Sequence, residues 1–295
     1  MTGYTGRACD IPTAHRVQAA ALVRTGRQYS LAATRFPGMP LFPGHPPFQV
    51  QSYRTPQGLR VAGDDLWPHT PNEVGLACMT EVITSTVHSG AHVDALAHIT
   101  VGDDDHWYGG ANAAQHLGDF GPTVGDAASM PPMFTRGVLL VVAGYRGNDC
   151  LPAGDPVDAA ETEAIAAAQG VEIREWDVVL FRTGYMGLWP DAARMAQHVS
   201  PGPDLSAASF LADRGVVAVG SDTETFEVQP APDPGVPSNP QPVHTRLLVE
   251  GGVHIMESLD LEELAVEHVH EFLFVALPLK ISGATGSMVD PLALV

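Results

Sequence analysis

Lysine is almost missing from these 295 residues: Lys280 is the only one, and arginine carries the rest of a basic complement of fifteen. Thirty-four acids oppose it and leave a formal charge of −19. A chain this acidic repels nucleic-acid phosphates and anionic lipid headgroups, so neither is expected as a partner. Long hydrophobic runs are also lacking, and none reaches the roughly 20 residues that a membrane-spanning helix needs. The opening MTGYTGRACDIPTAH has neither the basic start nor the apolar centre of a secretory signal. Cysteine is scarce. Cys9, Cys78 and Cys150 are odd in number and far apart, which argues against a disulfide framework and for a reducing compartment. A cytoplasmic globular protein is expected, and 45% hydrophobic against 17% charged residues suits a folded core.

The chain reads as one domain over 1–295, beginning with a helix and a proline-rich loop over about 1–48. Val17, Ala20, Ala21 and Leu22 recur at helical spacing within Ala14–Arg24, with Gly26 placed to end the helix. Phe36–Phe48 holds five prolines and two glycines and cannot be a regular helix. Glu81–Val87 alternates like a strand. Gly137–Tyr145, Asp177–Tyr185, Gly215–Gly220 and Phe272–Leu279 are apolar runs expected to form strands, the first three covered on both faces. Helices are expected over Asp158–Gln169, Asp204–Arg214 and Ser258–Glu267. Strands alternating with short helices predict an α/β fold with a partly parallel sheet. Val228–Pro242 is proline-rich and reads as a stiff loop.

The thirteen histidines are not scattered evenly. HSGAHVDALAH places His88, His92, Asp94 and His98 at offsets of zero, four, six and ten. Imidazole nitrogen and carboxylate oxygen are the donors that Zn²⁺, Mn²⁺ and Fe²⁺ accept. On a straight strand His88 and His92 would stand about 13 Å apart, too far to share an ion. Residues four apart on a helical turn are only about 6 Å apart. The chain must therefore leave the Glu81–Val87 strand and coil tightly, and Gly90 stands where the bend is needed.

This stretch resembles the His-x-Gly-Thr-His-x-Asp-x-Pro-x-His signature of the cyclase family of metal-dependent hydrolases, which includes kynurenine formamidase, isatin hydrolase and trans-dienelactone hydrolase. GMPLFPGHP (38–46), VLFRTGY (179–185) and PLKISGATGSMVDPLAL (278–294) are similar to family segments in the same order. Ala91 and Leu96 depart from the usual Thr and Pro. The resemblance implies a swivelling β/β/α kynurenine-formamidase-like fold, a central sheet or barrel flanked by helices, in homodimers or homotetramers. It implies His88, His92 and Asp94 as ligands of Mn²⁺ or Zn²⁺, His98 as acid/base, and His244 with Glu257 as candidates for a second ion, with Glu250 and His254 as competitors.

The expected chemistry is metal-assisted hydrolysis of an amide, lactam or lactone in a small cyclic or acylated substrate. Such an ion lowers the pKa of water and polarises a carbonyl. A lyase or dehydratase, or a non-catalytic metal-binding protein, remains an alternative. No G-x-S-x-G nucleophile elbow is present. Trp107, Tyr108 and Phe42, with Phe36, are candidates to line an aromatic or planar substrate pocket, with core packing as the alternative for the first two. SDTETFE (221–227) ends an apolar strand where α/β folds often keep functional groups, and no role is assigned to it.

Overall fold

The computed structural model describes residues 4–231 and 238–295. In chain order its strands include β1 (Gln28–Ser30), β2 (Gln49–Arg54), β3 (Thr80–Thr84), β4 (His92–Asp94), β5 (Met133–Val141), β6 (Val178–Arg182), β7 (Ala218–Ser221), β8 (His254–Glu257), β9 (Glu271–Ala276), β10 (Gly286–Met288) and β11 (Leu292–Leu294). Nine of them form one sheet in the order β1-β11-β9-β5-β6-β7-β8-β4-β10. The central pairs β5-β6, β6-β7 and β7-β8 are parallel, and the flanking pairs are antiparallel.

The two-residue period of the apolar runs explains why this sheet is covered on both faces. On β6, Val178 and Leu180 enter one core while Val179 and Phe181 enter the other. All four are fully buried, and each such side chain contributes about 1.5–3 kcal/mol by leaving water. Helices α1 (Thr13–Ala20), α2 (Ala159–Ala168), α3 (Ala192–Gln197), α4 (Leu205–Asp213) and α5 (Glu262–Val266) surround the sheet. Asp158 caps α2 by accepting from the Glu161 N–H, and Asp204 caps α4 by accepting from Ser206 and Ala207. Ile165, Leu211 and Ala212 then pack into the second core, whereas Leu264 of α5 enters the first.

Several boundaries differ from expectation for identifiable reasons. Helix α1 stops at Ala20 because the Leu22 and Val23 amides turn back to Ala19 and Ala20 in tighter turns. Its apolar face is slight: Ala19 is buried and Val17 is 66% exposed. Strand β9 ends at Ala276, two residues before Pro278, which has no N–H to offer a neighbour. The Ser258 and Leu259 amides donate to Thr223, just past β7, and to Ser221 at its end, which delays α5 until Glu262. Strand β3 pairs only with β2, in a hairpin outside the main sheet, and every residue of it is exposed. The alternation in Glu81–Val87 therefore marks a two-stranded ribbon and not a core strand. Residues 232–237 of the proline-rich stretch lie outside the described residues.

Candidate metal centre and its cavity

The carboxyl ends of the parallel strands converge on the site, where open α/β sheets commonly bind ligands. His92 and Asp94 are two apart on β4 and project to one side, while Val93 between them enters the core. Antiparallel pairing sets His92 opposite Glu257, the last residue of β8. His92 Nε2 then lies 3.2 Å from Glu257 Oε2 and 3.6 Å from Asp94 Oδ1.

His88 arrives by the tight bend at Gly90 that its spacing required. Residues 87–91 turn ahead of β4, with Gly90 at φ +58. An added Cβ at Gly90 would meet Arg35 Nε at 3.3 Å. Arg35 pins the bend by donating from Nε to the Ser89 carbonyl at 2.9 Å and from Nη2 to the Val289 carbonyl at 3.1 Å, with a further bond to Ala91. His88 Nδ1 lies 2.9 Å from Asp94 Oδ1, and the ring packs so closely on Gly286 that a Cβ there would sit 2.6 Å from His88 Cε1.

His244 enters from the start of a helical segment whose next turn, Thr245–Gly251, widens to π geometry. Its Nε2 is 3.1 Å from Glu257 Oε1 and 3.8 Å from Asp94 Oδ2. Donor atoms of His88, His92 and Asp94 all lie within 4.8 Å of one another, and so do those of Asp94, His244 and Glu257. Asp94 belongs to both trios. Its Oδ2 is buried and makes no hydrogen bond. An orphaned carboxylate oxygen among imidazole nitrogens is expensive for a protein alone and is the donor environment a divalent cation takes. The residues fit a metal.

The remaining contacts orient these donors. His92 Nδ1 bonds the Gly90 carbonyl at 2.8 Å, which leaves Nε2 for the site. Glu227 Oε1 lies 2.5 Å from His244 Nδ1 and also accepts the His244 amide at 3.1 Å. His254 Nδ1 donates to the Asp94 carbonyl at 2.8 Å. It therefore supports the strand, while Glu250 lies 58% exposed beside Arg246. Neither competitor contributes a donor to the two trios.

Charge follows from this crowding. Burial opposes the Asp94 and Glu257 carboxylates, but the surrounding histidines hold both below the usual carboxylate range. Burial also opposes the His244 imidazolium, and the Glu227 and Glu257 carboxylates overcome it and raise its pKa to about 10. A cation at Nε2 would therefore displace a proton. His98 is the opposite case. Its ring centroid stands 4.1 Å from that of His88, and burial lowers its pKa to about 4 against the pull of Asp94. It is neutral at pH 7.

A cavity of about 220 Å³ covers the cluster, lined by His88, His92, His98, His244 and Glu257 and closed by Leu41, Phe42 and Trp189, among others. Phe42 thus lines the site, whereas Phe36 packs edge-on against Trp189. Trp107 and Tyr108 line neither this cavity nor its neighbour. Trp107 is 3% exposed among Ala97 and Ala111 and donates to the Val124 carbonyl. Tyr108 packs on the second core against Gly252. Both belong to the interior, because the chain folds away from the site after His98. The two departures from the signature are interior residues as well: Ala91 in one core and Leu96 in the other.

Several residues of the site were not singled out from the sequence, Trp189 among them. Glu227 and Glu224 both come from SDTETFE, whose place after an apolar strand was the available signal. His45 of the proline loop stacks on His88 at 5.7 Å. Glu224 lines the cavity, and burial together with the Glu257 charge lifts its pKa to about 7, against the stabilising Tyr185 hydrogen bond.

Comparison with known proteins agrees with this architecture. The Cyclase family model, described as "Putative cyclase", matches residues 29–228, and the chain belongs to that family. A crystal structure described as a novel cyclase superimposes with a TM-score of 0.84 at 27% identity, covering 98% of this chain and 95% of that one. Isatin hydrolase A from Ralstonia solanacearum gives 0.66 at 22% identity over 96% and 97%. An isatin hydrolase bound to the product analogue thioisatinate gives 0.66 at 20% identity over 94% of each chain. No curated protein matches the sequence. The mixed α/β sheet flanked by helices is the cyclase-family fold expected from the sequence.

Proposed function

We propose that this chain is a metal-dependent hydrolase that cleaves an amide, lactam or lactone C–N or C–O bond in a small cyclic or acylated substrate. The observation that carries the reading is the convergence of five buried donor side chains beside a neutral His98 on one cavity. His88, His92 and Asp94 would hold one divalent ion, Mn²⁺ or Zn²⁺, and Asp94, His244 and Glu257 a second. Such an ion lowers the pKa of water from about 15.7 towards ~7 and polarises a carbonyl. His98 takes the proton of the attacking water on its imidazole nitrogen and returns it to the leaving nitrogen or oxygen. Leu41, Phe42 and Trp189 limit bulk water around the reacting group. Likeness to isatin hydrolases makes cyclic lactams the first compounds to test.

The reading includes a cytoplasmic protein, supported by three free cysteines, acting on a small-molecule substrate. It also includes a homodimer or homotetramer, supported by the exposed Tyr53, Val82 and Ile83 of the β2-β3 hairpin. Elemental analysis of purified protein should find manganese or zinc at one or two equivalents. Turnover of formamides, lactams and lactones in ¹⁸O-water should place label in the acid product. Unlabelled product would mean elimination by a lyase, and metal-free protein with no turnover would overturn the proposal.

A further inference from the structure

We infer that the reaction centre opens into a second, larger chamber that selects substrates bearing an apolar arm, and that Glu224 at the junction is the specificity-determining residue, hydrogen-bonding the substrate between its cleaved carbonyl and that arm. This rests on the hydrolase reading above and specifies its substrate class.

The first observation is size. The cavity over the donor cluster is about 220 Å³, and ligand pockets usually span about 300–1,000 Å³. A chamber of about 540 Å³ adjoins it, and Phe42, Met195 and Glu224 are among the residues that line both. The combined space suits a molecule considerably longer than one fused ring pair.

The second observation is the chemistry of the walls. One wall is the proline loop, where Pro40, Pro43 and Pro47 present ring carbons and no backbone N–H. The other is α3 and its continuation, with Ala192, Ala196 and Val199. Two polar side chains at the edge are engaged with the protein. The Tyr185 hydroxyl donates to the Met195 carbonyl at 3.3 Å, and His198 Nε2 bonds the Leu151 carbonyl at 2.8 Å. Phe42 remains 41% exposed between the two spaces, as an apolar contact waiting for a ligand would be.

Glu224, with His45 and Thr225, supplies the polar side chains where the two spaces meet. Of these, Glu224 carries the carboxyl group, and it faces both the donor cluster and the larger chamber. Its carboxyl oxygens can accept a hydrogen bond in either protonation state. It therefore matches a hydroxyl or an amide N–H placed one or two bonds outward from the cleaved group.

The test uses metal-loaded full-length enzyme and a homologous series of lactones with alkyl arms of up to about eight carbons. Each methylene should raise kcat/KM about threefold to fourfold until the chamber is full. Ala196→Trp and Val199→Trp, both at exposed positions, should cost the longest lactone at least about tenfold more than the parent lactone. For long lactones with and without a hydroxyl beside the ring, Glu224→Gln should retain the preference for the hydroxyl and Glu224→Leu should abolish it, mainly through KM. An alkyl cyclopentanone, which has no bond to hydrolyse, supplies a calorimetric readout. Its affinity should rise with arm length and fall at least about tenfold in the tryptophan variants. If lactones and the matching lactams and formamides all resist hydrolysis while the ketone binds by its arm, the hydrolase reading fails and the chamber stands. If lactones are cleaved with no dependence on arm length or on either tryptophan, the chamber inference is overturned and the hydrolase reading stands.

Discussion

Glu227 Oε1 meets His244 Nδ1 at 2.5 Å, with both side chains buried, and this contact turns His244 Nε2 toward Glu257 and Asp94. A carboxylate behind a ligating imidazole fixes its tautomer and raises its basicity. Glu227→Gln keeps an acceptor but removes the charge. Metal affinity measured by chelator competition should fall about 10- to 100-fold, with an unchanged far-UV spectrum. Unaltered affinity would show that His244 is not a ligand.

His98 touches the ring of His88 and contributes no donor atom to either metal trio. Its removal should therefore separate binding from chemistry. His98→Ala should keep the metal stoichiometry of the wild type and lose about 10²- to 10⁴-fold in kcat. Loss of metal in that variant would make His98 a ligand and leave the proton transfer without an assigned residue.

Gly90 is the narrowest constraint on the ligand loop. An alanine there must hold φ near +58 and also sits 3.3 Å from Arg35 Nε. Left-handed backbone costs an L-residue about 1–2 kcal/mol, and displacing Arg35 would release the Ser89 and Ala91 carbonyls. Gly90→Ala should reduce unfolding free energy by about 1–3 kcal/mol in urea. It should reduce metal affinity too, because His88 hangs from this bend. A variant that binds metal normally would show that the loop tolerates the strain.

The ligands close together in sequence were legible because one bend gathers them. His88, His92 and Asp94 span seven positions, and the need for Gly90 followed from distance alone. The strand that carries His92 and Asp94 was not legible. Pairing of β4 between β8 and β10 holds His92–Asp94 extended and brings His88 back through the loop. The parallel core was readable in Val178–Phe181, where alternate residues enter opposite cores. The β2-β3 ribbon was misleading, since the same alternation suits any two-faced strand. Glu227 and Glu224 could be located at the end of β7 but not assigned, because their partners His244 and Tyr185 come from distant segments. Aromatic composition near the motif pointed to Trp107 and Tyr108, and only tertiary packing distinguishes a core aromatic from a pocket aromatic.

Removing the metal should lower stability in a way that depends on the donor cluster. A cation that binds only the folded chain adds about 2.7 kcal/mol at a concentration 100 times its Kd. Chelation should lower the melting temperature, and added Mn²⁺ or Zn²⁺ should restore it. Asp94→Ala removes the donor shared by both trios and should abolish the shift. A thermal scan with the metal titrated in both proteins checks this, and an equal shift in the two would place the stabilising ion elsewhere.

Glu224 sets a pH dependence whose direction follows from its environment. Burial and the Glu257 charge raise its pKa from 4.5 to about 7 in the folded chain. Below 4.5 both folded and unfolded states hold the proton, and Glu224 imposes no penalty. As pH rises through the interval to about 7, the unfolded chain ionises freely while the folded chain resists. Stability contributed at this position is therefore lost across that interval and stays lost above it. Glu224→Gln does not titrate, so wild type should weaken relative to the variant as pH increases from about 5 to about 8. Urea unfolding of both proteins, with chelator present to remove metal-linked protonation, isolates the difference, since other groups titrate alike in the pair. Parallel stability curves would mean that Glu224 is ionised at an ordinary carboxylate pKa in the folded chain.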